Sequence, residues 1–139
     1  MEKKRQQDSA DRKKNSESMQ SLPESFRHAW DGIIVCIRDG RNMKIHCFAA
    51  VMVTIFGFLL HISVTEWCIC LTLFGLIMGL ETVNTSVEAV VDLVTDEWRP
   101  LAKKAKDTAA GAVLAAAIMA AVIGCIIFVP KLWGLFLQR

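Results

Sequence analysis

The sequence carries little net charge. Sixteen Lys and Arg stand against fourteen Asp and Glu, a formal +2, and a nucleic-acid-binding role draws no support from that balance. No C-x-x-C pair occurs. The five cysteines, Cys36, Cys47, Cys68, Cys70 and Cys125, mostly fall in apolar stretches, so they read as small hydrophobes rather than as disulfides or metal ligands. The three histidines, His28, His46 and His61, have no ligand spacing. There is no G-x-x-x-x-G-K-S/T, no G-x-G-x-x-G and no protein-kinase signature set, which removes the familiar nucleotide-binding folds. The first twenty residues are polar, so no signal peptide is expected.

What the chain has in abundance is apolar residues, 53% of the total and concentrated after residue 45. In 139 residues that pattern predicts one small all-α membrane domain over 21–139, preceded by a disordered polar tail over 1–20. Residues 21–39 predict an amphipathic surface helix opened at Ser21 or near Pro23. Phe26, Trp30, Ile33, Ile34 and Ile37 recur every three or four positions, and Arg27, Asp31 and Arg38 lie mostly off that stripe. Three membrane spans follow, at about 43–62, 66–94 and 108–129. Gly75 and Gly79 form a G-x-x-x-G that predicts close helix packing on the second span. The third span is rich in Ala and Gly, which suits tight interhelical contact, and Trp133 and Phe136 after it read as interfacial anchors. Ten basic residues lie at or before Lys44, four lie in 99–106, none lies in the 61–66 turn and two follow residue 130. The positive-inside rule therefore puts the N-terminus and the 95–107 loop in the cytoplasm.

The unusual stretch is 81–92, ETVNTSVEAVVD. At about 100° per residue, Glu81, Asn84, Thr85, Glu88 and Asp92 fall within about 60° of one direction on a helix. Carboxylates in or near a bilayer cost roughly 2.5–3.5 kcal/mol each unless paired or solvated. A helix over 66–94 is about 43 Å long, against a hydrocarbon core of about 30 Å, so its acidic end reaches the water boundary. Glu81 and Glu88 sit two turns apart, roughly 10 Å along the axis. The outer one can hold a metal such as Mg²⁺ together with substrate phosphates, while the deeper one acts as a base on a hydroxyl. Lys103, Lys104 and Lys106 can neutralise phosphate oxygens. That set points to phosphoryl transfer onto a membrane-soluble alcohol. Its rival is a non-enzymatic membrane oligomer that uses the Glu81 face as a polar lining or ion pathway.

Three motifs carry a resemblance to a known family: Arg41-Asn-Met-Lys-Ile-His46, the stretch from Glu81 to Thr95, and Pro100-Leu-Ala-Lys-Lys-Ala-Lys-Asp-Thr-Ala-Ala-Gly-Ala-Val113. Together they resemble the small integral-membrane prokaryotic diacylglycerol kinases, most closely the undecaprenol-kinase branch, over about 25–132. The resemblance implies a homotrimer of three-span protomers in the bacterial cytoplasmic membrane. Each protomer would transfer the γ-phosphoryl group of ATP, with Mg²⁺, to a lipid hydroxyl, that of undecaprenol or alternatively of diacylglycerol. It implies that Glu81 is the catalytic base and contacts the acceptor, that Asn84 lies beside the reacting centre, and that Glu88 binds both metal and ATP. It places Lys106 and Asp107 against the nucleotide, Glu97, Trp98 and Arg99 in a loop that approaches it, and His28 at a ring-bearing position near it. Trp30 is a candidate acceptor contact, and from the residues alone a membrane anchor. The family's second metal ligand is a glutamate immediately before the Arg-Asn-Met-Lys-Ile-His motif. Here that position is Gly40, and the adjacent Asp39 is the candidate substitute, about 100° around a helix and one methylene shorter.

Overall fold

A computed structural model describes residues 22–137, apart from the side chains of Leu135 and Phe136. The expectations for the 1–20 tail, for Ser21 and for the Phe136 anchor lie outside the described residues. Among the described residues every regular element is an α-helix: α1 Leu22–Asp39, α2 Arg41–Leu59, α3 Val64–Val94 and α4 Pro100–Leu137. The last three are long and apolar enough to cross a membrane. The chain divides into two compact units, one through Val35 and one from Cys36 onward.

The described part of the first unit is the greater part of α1. Phe26, Trp30, Ile33 and Ile34 are all exposed, and Glu24 supplies the acidic residue favoured in a first turn. At the head of the second unit α1 ends against Gly40, whose N–H still donates to the Cys36 carbonyl at 2.9 Å. A Cβ at position 40 would lie 2.5 Å from that same carbonyl oxygen and 3.3 Å from Cβ of Met43. The backbone at Gly40 is extended, φ −75 and ψ 116, and a side chain there would require the turn from α1 into α2 to shift. Met43, one turn into α2, is buried beneath the elbow.

The turn between α2 and α3 is short because both helix ends are capped within it. Ile62 N–H donates to the Gly57 carbonyl and His61 N–H to that of Phe58, which is the Schellman arrangement. His61 accordingly takes φ 48, the left-handed conformation. Ser63 then caps α3 in a reciprocal box with Glu66. Gly57 lets the Trp67 ring lie on α2, since a Cβ there would come within 2.8 Å of the indole. Phe58 stacks obliquely on the same ring, with centroids 4.9 Å apart. Ile62, Cys70 and Ile127 are the buried centre of an apolar cluster that joins α2, α3 and α4 at this end. Lys131 of α4 adds an ion pair to Glu66 at 3.2 Å.

α3 packs along α4 extensively and along α2 more sparingly. It therefore floors a cleft whose walls are α2 and α4. Two differences from the sequence expectations stand out. α4 starts at Pro100 rather than near 108, because proline at the first helical position forfeits a hydrogen bond the helix would not have made. It also continues through Pro130, losing one bond to the carbonyl four residues earlier, rather than stopping there. Gly75 and Gly79 are not packed within the protomer: a Cβ at either would meet nothing within 4 Å.

Candidate active site

The acidic stretch lies in the second half of α3, and the cleft sorts its members by depth. Glu81 is 3% exposed and Asn84 2%. Val113 and Ala116 of α4 are buried as well, while Asp92 is largely exposed. Thr85 donates its hydroxyl to the Glu81 carbonyl at 3.0 Å, and its oxygen lies 3.4 Å from Sγ of Cys36. The elbow after α1 is thereby tied to the turn of α3 that carries Glu81. Asn84 Nδ2 donates to Glu88 Oε1 at 3.1 Å. Among the described residues, two buried side-chain oxygens have no hydrogen-bond partner, Oε2 of Glu81 and Oδ1 of Asn84. Leaving such an atom unsatisfied costs roughly 1–3 kcal/mol, more for a charged group.

Glu81 opens into a cavity of about 250 Å³ walled by α2 and α4, with Asn42 and His46 on one side and Ala110, Val113 and Leu114 on the other. This cavity shares Ile45, His46 and Ala117 with a second of about 390 Å³, deeper between the same helices. Apart from His46 and Cys70, the second cavity is lined by apolar side chains and glycine. It runs up against the cluster at the α2–α3 turn, sharing Val53, Phe74, Ile123 and Phe128 with it. The cavity that Glu81, Asn42 and His46 line thus continues into one that is almost wholly apolar.

At the other end of α3 three ion pairs form among the charged residues. Lys106 bridges from α4 to Asp92 on α3 at 2.5 Å. Lys103 pairs with Asp107 one turn on, and Arg99 with Glu97 at 2.9 Å. Glu97, Trp98, Arg99, Lys106 and Asp107 line one open crevice of about 410 Å³ with Asp92. The five residues expected around a nucleotide from the loop and the start of α4 are therefore together.

Within the second unit Asp39 lines neither the Glu81 cavity nor the crevice beside Asp92. Asp39 is exposed, and both its carboxylate oxygens take hydrogen bonds from Arg38. The Arg38 hydrogen bond holds this carboxyl below the usual range for an aspartate, with burial opposing and the charges of Arg38 and Lys44 assisting. Among the described residues, no three His, Cys, Asp or Glu side chains cluster as a metal site. Glu88 is the carboxylate beside Asn84, whose Nδ2 faces it, and a single carboxylate suits Mg²⁺ when substrate phosphates supply further ligands. His28 and Trp30 lie on α1 in the first unit, both exposed. The sequence reading missed Asn42 and His46 as neighbours of Glu81, and Asp92 as the partner of Lys106. The signal for the first pair was their four-residue spacing, which puts both on one face of α2.

The model of the family described as "Prokaryotic diacylglycerol kinase" matches residues 27–128. The chain is 45% identical over 122 residues to the undecaprenol kinase of Bacillus subtilis, covering 88% of this chain and 99% of that protein. It is 43% identical over 112 residues to a diacylglycerol kinase of Synechocystis, covering 80% and 64%. With the diacylglycerol kinase of Escherichia coli K12 it shares 27% identity over 109 residues, covering 78% and 86%.

Proposed function

The chain belongs to the prokaryotic diacylglycerol kinase family, and from that premise we propose that it phosphorylates undecaprenol with Mg·ATP at the cytoplasmic face of a bacterial membrane. It is a three-span membrane protein and a phosphotransferase with a lipid alcohol as acceptor. The observation that carries the proposal is the buried carboxylate of Glu81, its Oε2 without a hydrogen-bond partner, on a residue that lines a cavity continuing into an apolar one.

A hydroxyl entering that site donates its hydrogen to Oε2. As its oxygen attacks the γ-phosphorus, Glu81 takes the proton and ADP departs. The acceptor's tail runs into the apolar cavity. The tail of a polyprenol asks nothing of those walls, whereas a diacylglycerol would bring two ester carbonyls to walls whose polar side chains are His46 and Cys70, and each carbonyl left without a donor costs roughly 1–3 kcal/mol. This difference favours undecaprenol. The nucleotide lies toward the Asp92 end, where Lys106 exchanges Asp92 for a phosphate oxygen. Glu88, with Asn84 beside it, would hold Mg²⁺ together with the phosphates of ATP, and the ion would supply charge neutralisation to the transferring phosphoryl group. The chain's own part is to orient the hydroxyl, exclude water and hold the proton. An ion pathway is disfavoured by the same channel, since its lining offers few polar groups along its length.

Two further features belong to the proposal. The basic residues before Lys44 and in 99–106 orient the N-terminus to the cytoplasm. The open Gly75–Gly79 face of α3 receives a neighbouring protomer in a homotrimer. The test is phosphate transfer from labelled Mg·ATP by the purified protein, with undecaprenol and dioleoylglycerol assayed side by side. Higher kcat/KM on undecaprenol is expected. A preference for diacylglycerol would reverse the acceptor assignment, and no transfer to any lipid alcohol would remove the kinase reading.

A further inference from the structure

Among the described residues, no hydrogen bond or ion pair is made to the Glu81 carboxylate. Its main chain is held instead. The Glu81 carbonyl accepts the Thr85 hydroxyl at 3.0 Å, one turn on. By itself that bond is ordinary. Thr54, Thr72, Thr82, Ser86 and Thr108 return their hydroxyls to the carbonyl four residues earlier in the same way. Of these six, Thr85 alone also has a side-chain partner on another helix, Sγ of Cys36 at 3.4 Å. A threonine hydroxyl has one hydrogen, and the Glu81 carbonyl takes it. The thiol is therefore the donor, and Cys36 S–H, Thr85 O–H and Glu81 C=O form one chain of hydrogen bonds. Cys36 is 2% exposed, and its own carbonyl takes the Gly40 N–H at the end of α1. One residue thus closes the elbow and reaches α3. Down the axis of α3, Asn84 lies about 60° to one side of Glu81 and Thr85 about 40° to the other. The Asn84 bond runs to Glu88 on the same helix, so it ties α3 to nothing else. The Thr85 bond ties this turn to the elbow, from which α2 sets out with Asn42, Ile45 and His46, its share of the cavity wall.

We propose that Thr85, held by Cys36, is a positioning residue for the base: it fixes the turn of α3 that carries Glu81 against the elbow, and so sets where the carboxylate meets the acceptor hydroxyl. This rests on the reading of Glu81 as the base of a lipid kinase. Neither Cys36 nor Thr85 gives up its proton in the transfer, and neither lines the cavity. They act through the Glu81 main chain alone. A base works within about 2.6–3.2 Å of the proton it takes, and a displacement of about 1 Å costs on the order of a hundredfold in rate. Loss of the tie is therefore read in kcat. The nucleotide crevice is lined from Val91 onward on α3, more than a turn beyond Thr85, so ATP binding should not register it.

The test uses the full-length protein and whichever lipid alcohol the wild type phosphorylates faster. Thr85→Val keeps the branched shape and removes the hydroxyl. Its kcat should fall about tenfold, with KM for ATP and the thermal midpoint unmoved. Thr85→Ser restores the hydroxyl and should stay within about twofold of wild type. Cys36→Ala removes the tie from the other side and should lose about threefold, and Thr85→Val added to it should cost no more than Thr85→Val alone. The readout that a merely structural role would not give is the Glu81→Gln background. There the base is gone, so adding Thr85→Val should slow transfer no further. If Thr85→Val fails to fold, Cys36→Ala compared in the wild-type and Glu81→Gln backgrounds decides the same point. The inference is overturned if Thr85→Val matches wild type, if Ser and Val lose equally, if the lost rate follows a lowered midpoint, or if the loss persists in full without Glu81. A wild-type protein active on a lipid alcohol while Thr85→Val is unaffected sinks this inference alone. A wild-type protein inactive on every lipid alcohol, or a Glu81→Gln variant as fast as wild type, sinks the reading of Glu81 and this one with it.

Discussion

Glu81→Gln separates chemistry from architecture at the centre of the site. The substitution keeps the side chain's shape and removes its charge and basicity. A positioned general base contributes about 10²–10⁴ in rate, or about 2.7–5.4 kcal/mol at 1.36 kcal/mol per tenfold, so kcat should fall by at least about a hundredfold. Stability should move the other way or not at all. Glu81 is 3% exposed and its Oε2 has no partner, so the folded protein carries an uncompensated buried group that the amide relieves in part. KM for ATP should hold. The Asp92 carboxylate that Lys106 grips is eleven residues along α3, about 16 Å at 1.5 Å per residue, too far for a neutral isostere at 81 to disturb it. The assay is initial-rate phosphate transfer to undecaprenol, with thermal unfolding of the same preparations. A variant within a few-fold of wild-type kcat would remove Glu81 as the base. A sharply lowered thermal midpoint would show that the carboxylate holds helices together instead.

Glu88→Gln should raise the Mg²⁺ concentration for half-maximal rate several-fold. It should leave the thermal midpoint intact, because Asn84 Nδ2 can donate to an amide oxygen as it does to the carboxylate; unchanged Mg²⁺ dependence would contradict this. Gly40→Glu restores the family's carboxylate in sequence but not in space. The 2.5 Å approach of its Cβ to the Cys36 carbonyl should cost about 1–3 kcal/mol, read as a lower thermal midpoint with no gain in Mg²⁺ affinity. Asp39, held below its ordinary pKa by Arg38, contributes to the elbow at pH values above the unfolded pKa near 3.8 and loses that contribution as pH falls through the lower folded value. The Gly40 amide shift followed by NMR should therefore titrate with a midpoint below 3.8 and become flat in Asp39→Asn, and a midpoint at or above 3.8 would refute the pairing. Gly79→Leu should reduce the oligomer to smaller species in light scattering if a neighbouring helix packs on the open α3 face; an unchanged mass would leave that face to lipid.

Periodicity and spacing carried much of this molecule. Three apolar runs long enough to cross a bilayer, an acidic face two turns deep and a basic loop after it can each be read along the chain, because each depends on residues within one helix. The face alone, however, did not distinguish its members. Glu81 and Asp92 point within about 20° of each other on a wheel, yet one is buried and the other largely exposed. The difference lies in which neighbouring helix covers each turn, and no angle on α3 contains that. Gly75 and Gly79 show the same limit in reverse: small residues permit a close approach without naming the helix that makes it, and within the protomer none does.

The sequence by itself determined that the chain spans a membrane, carries paired carboxylates at one end of its middle span and bears the motifs of a phosphoryl-transfer family. Those are properties of local order, set by hydrophobicity and helical repeat. Only the tertiary structure decided that Asn42 and His46 of α2 and Ala110 to Ala117 of α4 close around Glu81, and that Lys106 reaches back fourteen residues to Asp92. The same holds for the buried oxygens of Glu81 and Asn84 that are left without partners. The physical reason is that a cavity belongs to no single helix. It is the space left where α2 and α4 lean on α3 without meeting, and side-chain volumes summed across all three helices set its size and polarity.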